Sequence, residues 1–322
     1  KLLGVMGQAR LMAFTDDTAA IGSKTAATPT LANWSDIGLT ANTSLIDGVR
    51  VELSKAAYWT STNAFNGLVA LNSALDTYAG AAITQTLLQD IVDAYGRILQ
   101  EADGAWATAT DVSLVRAGGE ADAVITDLTK IGVANLTTRS GELLASTLGN
   151  QLSTAVDTVA ELNTLATAAN NVINRAEGTA MATGAYTTEG EWITGINSLL
   201  RLNTSNGVNT SNVTDITTAI TDAVGIGVDS YVELQALVSM VRLNDYAKQK
   251  TGWTLPTITD YAAILAKESG TAVFADANSS YLNAYNSAID YQTSVTDGQK
   301  VESMVSSYNT ILGLADGNRS AP

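Results

Sequence analysis

The chain has 322 residues, 46% of them apolar, so it can bury a large core and is too long for one small domain. Its net charge of -15 at pH 7 repels nucleic acid phosphates and anionic membranes, which argues against both as partners. The chain has no Cys and no His, which excludes disulfides, thiol nucleophiles, histidine bases and ordinary zinc sites, and no apolar run reaches the roughly 18 residues that cross a bilayer.

The predicted elements are amphipathic helices, and the first lies at the start of the chain. It covers Leu3 to Asp17, where Leu11 and Met12 occupy apolar positions that recur later. A brief helix, a Thr- and Asn-rich turn and a second amphipathic run follow from Ser35, and the same order returns from Asp127. Alternating β-branched runs bounded by tight turns are not sustained, so strands are not expected.

A long helix with one apolar stripe recurs along the chain. Its clearest copies are Ile91 to Gly104, Leu165 to Gly178 and Met304 to Gly317, and a less regular copy begins at Tyr231. Apolar residues fall at i, i+3, i+4, i+7, i+10, i+11 and i+14, which is the spacing of one helical face. The stripes are Leu88, Ile91, Val92, Tyr95, Ile98, Leu99 and Ala102; Leu162, Leu165, Ala166, Ala169, Val172, Ile173 and Ala176; and Val301, Met304, Val305, Tyr308, Ile311, Leu312 and Ala315.

Both ends of the long helices are marked in the sequence. A Ser or Thr followed three residues later by Glu or Gln forms a capping box at a helix start, and a Gly just past the last apolar position favours the left-handed conformation that ends a helix. The predicted starts are Thr158 with Glu161, Ser230 with Glu233 and, in a weaker version, Thr296 with Gln299. The predicted stops are Gly104, Gly178 and Gly317.

These copies predict an all-α fold, a tandem array of roughly 70-residue, mostly three-helix repeat units stacked into an elongated body. The predicted division is a remnant of a repeat at 1–20 and repeat units at 21–104, 105–178, 179–252 and 253–322. Because such units bury apolar faces against their neighbours, the end units should leave apolar surface uncovered. The residues expected to pack between units or between subunits are Leu3, Val5, Leu11, Met12, Trp106, Trp253, Ile311 and Leu312.

Catalysis in this chain would have to use carboxylates, Lys, Tyr or hydroxyls, because His and Cys are absent. A glycosidase needs two carboxyl groups as acid and base, and each candidate pair here lies near a predicted helix end or loop. The candidate pairs are Glu189 with Glu191, Asp16 with Asp17, and Glu120 with Asp122. We expect these residues to be solvated caps, and we expect the protein not to be an enzyme.

No cofactor is predicted, and the sequence contains no complete calcium-binding loop of the EF-hand type. No segment supplies the alternating oxygen ligands, central Gly and terminal Glu of an EF-hand loop; Asp316 to Asn318 is a fragment of one. Flat aromatic rings stack on sugars, so the five Trp and eleven Tyr suit a carbohydrate-binding platform. Trp106 and Trp253 each follow a terminal Gly within two residues, which favours packing between units. The other Trp residues, Trp34, Trp59 and Trp192, show no such recurrence.

The segments IVDAYGRILQEADG (91–104) and ELQALV (233–238), set among Ile-Gly-ended helices, resemble a known repeat type. They are similar to the Ala/Thr-rich repeats of very large secreted surface proteins of Gram-negative bacteria, the adhesins and biofilm-type proteins exported by type I secretion. The resemblance covers most of the chain. It implies an extracellular location and a structural or adhesive role, and it carries over no catalytic residue.

Three functional hypotheses follow from these observations. In the first, the chain is an extracellular structural or adhesive repeat protein of a bacterial surface, a non-catalytic scaffold that adjoins further repeats. In the second, it is a self-assembling subunit of an extracellular filament or surface layer, and Leu3 to Asp17 dock on the next copy. In the third, it is a carbohydrate-binding or carbohydrate-active protein with carboxylates and aromatic walls in a cleft.

Overall fold

A computed structural model describes residues 2–19, 23–37, 71–80, 83–102, 120–152, 155–178, 186–223, 227–269 and 277–316. Across these ranges every regular element is a helix and no β-strand forms, which confirms the predicted all-α class. The α-helices are α1 Leu2–Asp16, α2 Leu31–Asp36, α3 Gln85–Glu101, α4 Glu120–Lys130, α5 Thr138–Leu148, α6 Val159–Glu177, α7 Glu189–Leu200, α8 Val213–Asp222, α9 Tyr231–Ala247, α10 Ile258–Ser269, α11 Leu282–Asp290 and α12 Gly298–Ala315. A 3-10 turn, Ser279–Tyr281, precedes α11, and residues 71–76 are also helical.

The chain divides into two compact parts, of which the first comprises Lys1–Gly141 and Leu148–Ala166. In this part α1 packs against α2, and α3 packs against α4. Side chains from these helices and from the 71–76 segment are fully buried, which places a core between them. The largest of these are Trp34, Tyr95, Phe14, Leu11, Leu75, Leu88, Ile91, Ile98, Leu128 and Ile131.

The second compact part comprises Glu142–Thr147 and Thr167–Pro322. Helix α9 is its centre, since α7, α8, α10 and α11 all pack against it, and α10 also packs against α12. One apolar cluster joins α9, α10, α11 and α12. Its buried members are Leu243, Tyr246, Ala247, Tyr261, Ile264, Leu265, Tyr285, Ile289, Val295, Val301 and Val305.

The predicted stripes are buried along α3 and α6, which confirms the helical period in both. Leu99 is the exception, because its side chain lies outside the described residues. In α12 only the first half of the stripe is covered: Val301 and Val305 are buried, whereas the side chain of Ile311 is 62% exposed. The 3.6-residue period therefore marks an apolar face correctly, but it does not guarantee that another element covers that face.

Three of the six predicted helix-end signals are confirmed, those at Thr158, Ser230 and Gly178, while Gly104 and Gly317 lie outside the described residues. The amide of Glu161 donates to Thr158 Oγ1 over 3.2 Å, and the amide of Glu233 donates to Ser230 Oγ over 3.3 Å. Gly178 ends α6 with a φ of 64°, the left-handed conformation that glycine adopts without strain. The predicted start of α12 is wrong: Asp297, not Thr296, is its N-cap residue, and the Asp297 carboxylate accepts from the amides of Gln299 and Lys300.

Candidate functional site

A buried polar clamp holds α2 to the 71–76 helix. The indole N–H of Trp34 donates to Asn72 Oδ1 over 2.9 Å, and Asn72 Nδ2 donates to the carbonyl of Pro29 over 2.9 Å. Trp34 and Asn72 are buried, so both hydrogen bonds are shielded from water. The Asn72 side chain therefore satisfies both the indole N–H of Trp34 on α2 and the carbonyl of Pro29 just before α2.

The same clamp occurs between α10 and α11. The hydroxyl of Tyr261 donates to Asn286 Oδ1 over 2.7 Å, and Asn286 Nδ2 donates to the carbonyl of Pro256 over 3.1 Å. In each clamp the aromatic residue lies five positions after the proline. The local sequences agree as well, since the asparagines belong to NSALD (72–76) and NSAID (286–290). The same hydrogen-bonded arrangement of proline, aromatic residue and asparagine therefore occurs twice, with Trp in one copy and Tyr in the other.

The start of each clamped helix is also built in the same way. Thr30 donates its amide to Asn33 Oδ1 over 2.8 Å, and Thr257 donates its amide to Asp260 Oδ2 over 2.7 Å. Helix α7 repeats this start, because the amide of Thr188 donates to Glu191 over 2.8 Å. A pattern Thr-x-x-[Asn/Asp/Glu]-[Trp/Tyr] therefore opens α2, α7 and α10, with a buried aromatic residue at its end.

This pattern was not predicted from the sequence. Measured from the terminal glycines, Trp34 and Trp192 have no recurring position, yet both close the pattern, with Tyr261 as the third example. The signal is present in the sequence but spread over several residue types at its last two positions. Because Trp34 and Trp192 are buried, neither offers a flat ring face to a sugar.

A second recurring contact joins the starts of two long helices to serines on earlier helices. Val159 is the first residue of α6, and its amide donates to Ser73 Oγ over 3.1 Å. Tyr231 is the first residue of α9, and its amide donates to Ser146 Oγ over 2.8 Å. The amides of a first helical turn have no partner within their own helix, so each serine satisfies one of them and fixes the position of the helix start.

Arg–Asp pairs join long helices to the helices that follow them. Arg97 on α3 binds Asp127 on α4, with Arg97 Nη2 2.5 Å from Asp127 Oδ1. Arg242 on α9 binds Asp260 on α10, with Nη1 2.6 and 2.7 Å from the two carboxylate oxygens. The second pair is almost completely buried. Burial raises the pKa of Asp260, and the charge of Arg242 acts in the opposite direction.

A pair of neighbouring carboxyl groups lies at the start of both α6 and α9. Burial, followed by a hydrogen bond to Glu161, raises the pKa of Asp157 to about 6. Burial, followed by a hydrogen bond to Asp229, raises the pKa of Glu233 to about 7. Two carboxyl groups that share a hydrogen bond hold a proton more tightly than an isolated one, so both long helices start beside a proton-binding pair.

These two pairs predict that the protein is more stable at pH 5 than at pH 8. Because the folded pKa values of Asp157 and Glu233 are raised from 3.8 and 4.5, their stabilisation is complete below about pH 4 and is lost as the pH rises through 6 to 7. We expect the free energy of unfolding to fall by about 1–3 kcal/mol between pH 5 and pH 8, allowing for partial exposure. Urea titrations at a series of pH values measure this change.

The matched variant for this measurement is Asp157→Asn combined with Asp229→Asn. It removes one charge from each pair, so the decline above pH 5 should flatten. Asp17 acts in the opposite sense: backbone amides, Ala26 first, lower its pKa to about 2, so its contribution is lost only in strong acid. An unchanged pH profile in the double variant would rule out the carboxyl pairs as its cause.

Carboxylates from two of the three candidate acid–base pairs accept backbone hydrogen bonds in the structure. The Glu191 carboxylate accepts hydrogen bonds from Thr187 and Thr188. These bonds, the one from the Thr187 amide most strongly, lower the pKa of Glu191 and keep it ionised as a helix cap. Asp17 is likewise held by the amides of Ala19, Thr25 and Ala26. The side chains of Glu120 and Asp122 lie outside the described residues.

The described residues contain no cluster of three or more acidic side chains that could hold a metal ion. Asp316 accepts a hydrogen bond from the hydroxyl of Tyr281 over 2.9 Å, which gives this predicted fragment of a calcium loop a structural partner. Gly317 and Asn318 are not described. Among the described helices, none combines the length and apolar character needed to cross a membrane.

The residues predicted to pack between units or subunits fall into four groups. Leu11 is buried between α1 and its neighbours. Leu3 and Val5 are each 64% exposed, and Met12, Trp253 and Ile311 are exposed as well, while Leu312 is half-buried. Trp253 contacts Tyr246 edge to face, with ring centroids 4.8 Å apart. Trp106 and Trp59 lie outside the described residues.

Comparison of the chain with protein-family models, with curated proteins and with solved structures finds no match.

Proposed function

We propose that the protein is a non-catalytic structural or adhesive scaffold of a bacterial surface, built as a tandem array of three-helix units. The observation that carries this proposal is the recurrence of the same buried contacts at corresponding points of the chain. The Pro–aromatic–Asn clamp occurs in residues 29–72 and again in residues 256–286. Recurrence of contacts, and not only of sequence, is what stacked repeats of one supersecondary unit produce.

The order of the helices supports the same division. Cut after residues 104, 178 and 252, the chain gives three successive segments whose described residues each form two shorter α-helices and one longer one. In residues 105–178 these are α4, α5 and α6, with 11, 11 and 19 residues. The next segment contains α7, α8 and α9, and the last contains α10, α11 and α12.

The hydrogen bonds to Ser73 and Ser146 cross the proposed unit boundaries. Ser73 belongs to the unit at 21–104 and binds the first residue of α6 in the next unit. Ser146 belongs to the unit at 105–178 and binds the first residue of α9 in the unit after it. The Arg–Asp pairs cross the boundaries at 104 and 252. Three of the four long helices, α3, α6 and α9, thereby touch an adjacent unit through a specific polar contact, as expected of a mechanically continuous array.

The surface chemistry fits a scaffold outside the cell. Only 15% of residues are charged, and hydroxyl and amide side chains cover much of the remaining polar surface, so adhesion would rest on hydrogen bonding and apolar contact. The resemblance to secreted Ala/Thr-rich adhesin repeats supports an extracellular location. The carbohydrate-binding alternative rests on Trp253, which is 38% exposed.

Surface labelling of the source bacterium tests this function. Antibodies raised against the folded chain should label intact cells, and brief protease treatment of intact cells should remove the label. Labelling that appears only after lysis would contradict the proposed location. A glycan array probed with the unsubstituted chain and with Trp253→Ala tests the carbohydrate-binding alternative. That alternative requires the unsubstituted chain to bind a glycan and the substitution to abolish the binding.

A further inference from the structure

A third serine corresponds to one of the two that bind long-helix starts inside the chain. Alignment of NSALD (72–76) with NSAID (286–290) matches Ser287 to Ser73. Ser73 binds the amide of Val159, whereas Ser287 is exposed and makes no side-chain hydrogen bond to the described residues. An acceptor that is used in one copy of the helix is therefore open to solvent in another.

Side chains around Ser287 are also exposed to solvent. In the earlier copy the hydroxyl of Tyr78, just past the helix, donates to the carbonyl of Lys130 on α4. Tyr291, which matches Thr77 in this alignment and directly follows α11, has a side chain that is 89% exposed. On α12, Ile311 is 62% exposed and Leu314 is 54% exposed, although Ile98 at the position matching Ile311 is buried. We call the residues Ser287, Tyr291, Ile311 and Leu314 the α11–α12 surface.

A complementary surface lies at the start of α3. Gln85 is the first residue of this long helix and matches Val159 and Tyr231, yet no serine of an earlier helix binds its amide among the described residues. Its side chain donates to the carbonyl of Ile37 over 3.1 Å. A groove of about 300 Å³ opens here, lined by Gly4, Val5, Gln8, Ile37, Gln85 and Leu88.

Exposed apolar side chains of α1 lie at and beside the groove. Leu3, Val5 and Met6 are each at least 60% exposed. At the starts of α6 and α9 a serine-bearing helix lies beside the long helix, and at the start of α3 the groove occupies the space beside the helix. We call the groove together with Met6 the α1–α3 surface.

We propose that the α11–α12 surface of one molecule binds the α1–α3 surface of a second copy. In this contact the amide of Gln85 donates to the hydroxyl of Ser287, which repeats the bond that Ser73 and Ser146 accept inside the chain. Ile311 and Leu314 cover Val5 and Met6, so apolar surface is removed from water on both partners. The inference rests on the proposed array of units, because it extends the internal junction to a junction between molecules.

The contact is heterologous, since each molecule offers a different surface, and such contacts generate open chains or closed rings. Both surfaces are made of apolar and hydroxyl or amide groups, while each whole molecule carries a net charge of -15. Molecules of like charge repel at long range, and salt screens that repulsion. Association should therefore strengthen as the salt concentration rises, the reverse of a contact made through ion pairs.

The first test measures self-association of the full chain by sedimentation velocity over a range of concentrations. The unsubstituted chain should form higher species as concentration and salt rise. Ile311→Asp should weaken association by at least about tenfold in dissociation constant, because an unpaired carboxylate would be buried in the contact. Ser306→Asp is the matched control: it adds the same charge to another exposed position of α12 and should leave association unchanged.

The second test identifies the surfaces by cross-linking, which is clean because the chain has no cysteine. A Gln85→Cys chain mixed with a Ser287→Cys chain should form a mixed disulfide dimer under mild oxidation. Neither chain alone should do so to the same extent. Ser306→Cys replaces Ser287→Cys in the control mixture, where the yield of mixed dimer should be several-fold lower.

Monomers at every concentration, equal effects of the two aspartate variants, or dimers formed mainly between two Ser287→Cys chains would each overturn the inference. None of these outcomes would touch the proposed array itself. The array concerns contacts within one molecule, and mechanical unfolding of single molecules tests it independently. A chain that unfolds in regular steps yet stays monomeric would thus be a scaffold without this self-association.

Discussion

Replacement of Arg242 by Met is expected to lower the free energy of unfolding by about 3–5 kcal/mol, the range for breaking a buried ion pair from one side. The guanidinium and the carboxylate of Asp260 are both almost fully buried, and Asp260 has no other cation within salt-bridge distance among the described residues. Met fills much of the volume of the arginine stem, so the loss measures the buried charge more than a cavity.

A second substitution separates charge from packing in this prediction. Asp260→Asn added to Arg242→Met removes the unpaired charge and should recover a large part of the lost stability. Asparagine suits the site because Asn33, the matching residue of α2, already accepts from the amide and hydroxyl of Thr30. If the double variant is no more stable than Arg242→Met, the cost does not come from an uncompensated carboxylate.

The control for Arg242 is Arg175, which is exposed and donates to the hydroxyl of Thr221 over 2.8 Å. Arg175→Met should change the free energy of unfolding by less than about 0.5 kcal/mol, as most surface substitutions do. Urea denaturation followed by circular dichroism gives both values. Equal losses for Arg175→Met and Arg242→Met would contradict the role assigned to the buried pair.

Replacement of Asn286 by Ala is expected to cost about 2–4 kcal/mol of the free energy of unfolding. The substitution leaves the hydroxyl of Tyr261 and the carbonyl of Pro256 buried without their partner, and each unsatisfied group costs about 1–3 kcal/mol. Asn283 lies one turn earlier on the same helix and is exposed, so Asn283→Ala is the matched control. It should be nearly neutral or slightly stabilising, because Ala has the higher helix propensity.

The same substitution at Asn72 tests whether the two clamps are equivalent. Asn72→Ala leaves the indole N–H of Trp34 and the carbonyl of Pro29 unpaired and should cost a similar amount. Thermal and urea unfolding of Asn72→Ala, Asn286→Ala and Asn283→Ala place the three on one scale. If Asn286→Ala lowered the free energy of unfolding and Asn72→Ala did not, the two copies of the clamp would share their sequence but not their contribution to stability.

The long helices could be predicted from the sequence because seven apolar residues at a spacing of 3.6 form one continuous face only on an α-helix. The same holds for the capping boxes at Thr158 and Ser230, whose spacing is itself the structural motif. The array predicts uncovered apolar surface at its end units, but the point along the α12 stripe where burial stops, between Val305 and Ile311, could not be predicted, because amphipathic spacing reports which face of a helix is apolar and is silent about what lies opposite.

The polar contacts were harder to predict for a different reason. Asn72 and Trp34 are 38 positions apart in the sequence, and Ser73 and Val159 are 86 positions apart. A side chain that pairs over such a separation leaves no local period, and its partner differs between copies, as Trp34 and Tyr261 do. The similarity of NSALD (72–76) to NSAID (286–290) was visible in the sequence. It indicates that the two helices correspond, but it does not indicate which residue each asparagine binds.

Stretching single molecules by force, with handles at the two ends of the chain, tests the array of units most directly. A unit of about 70 residues extends by roughly 3.3–3.6 Å per residue, so each unfolding step should lengthen the molecule by about 20–24 nm after the folded length is subtracted. Several steps of similar size are expected, because neighbouring units unfold one at a time. Release of the whole chain in a single step of about 110 nm would contradict the account.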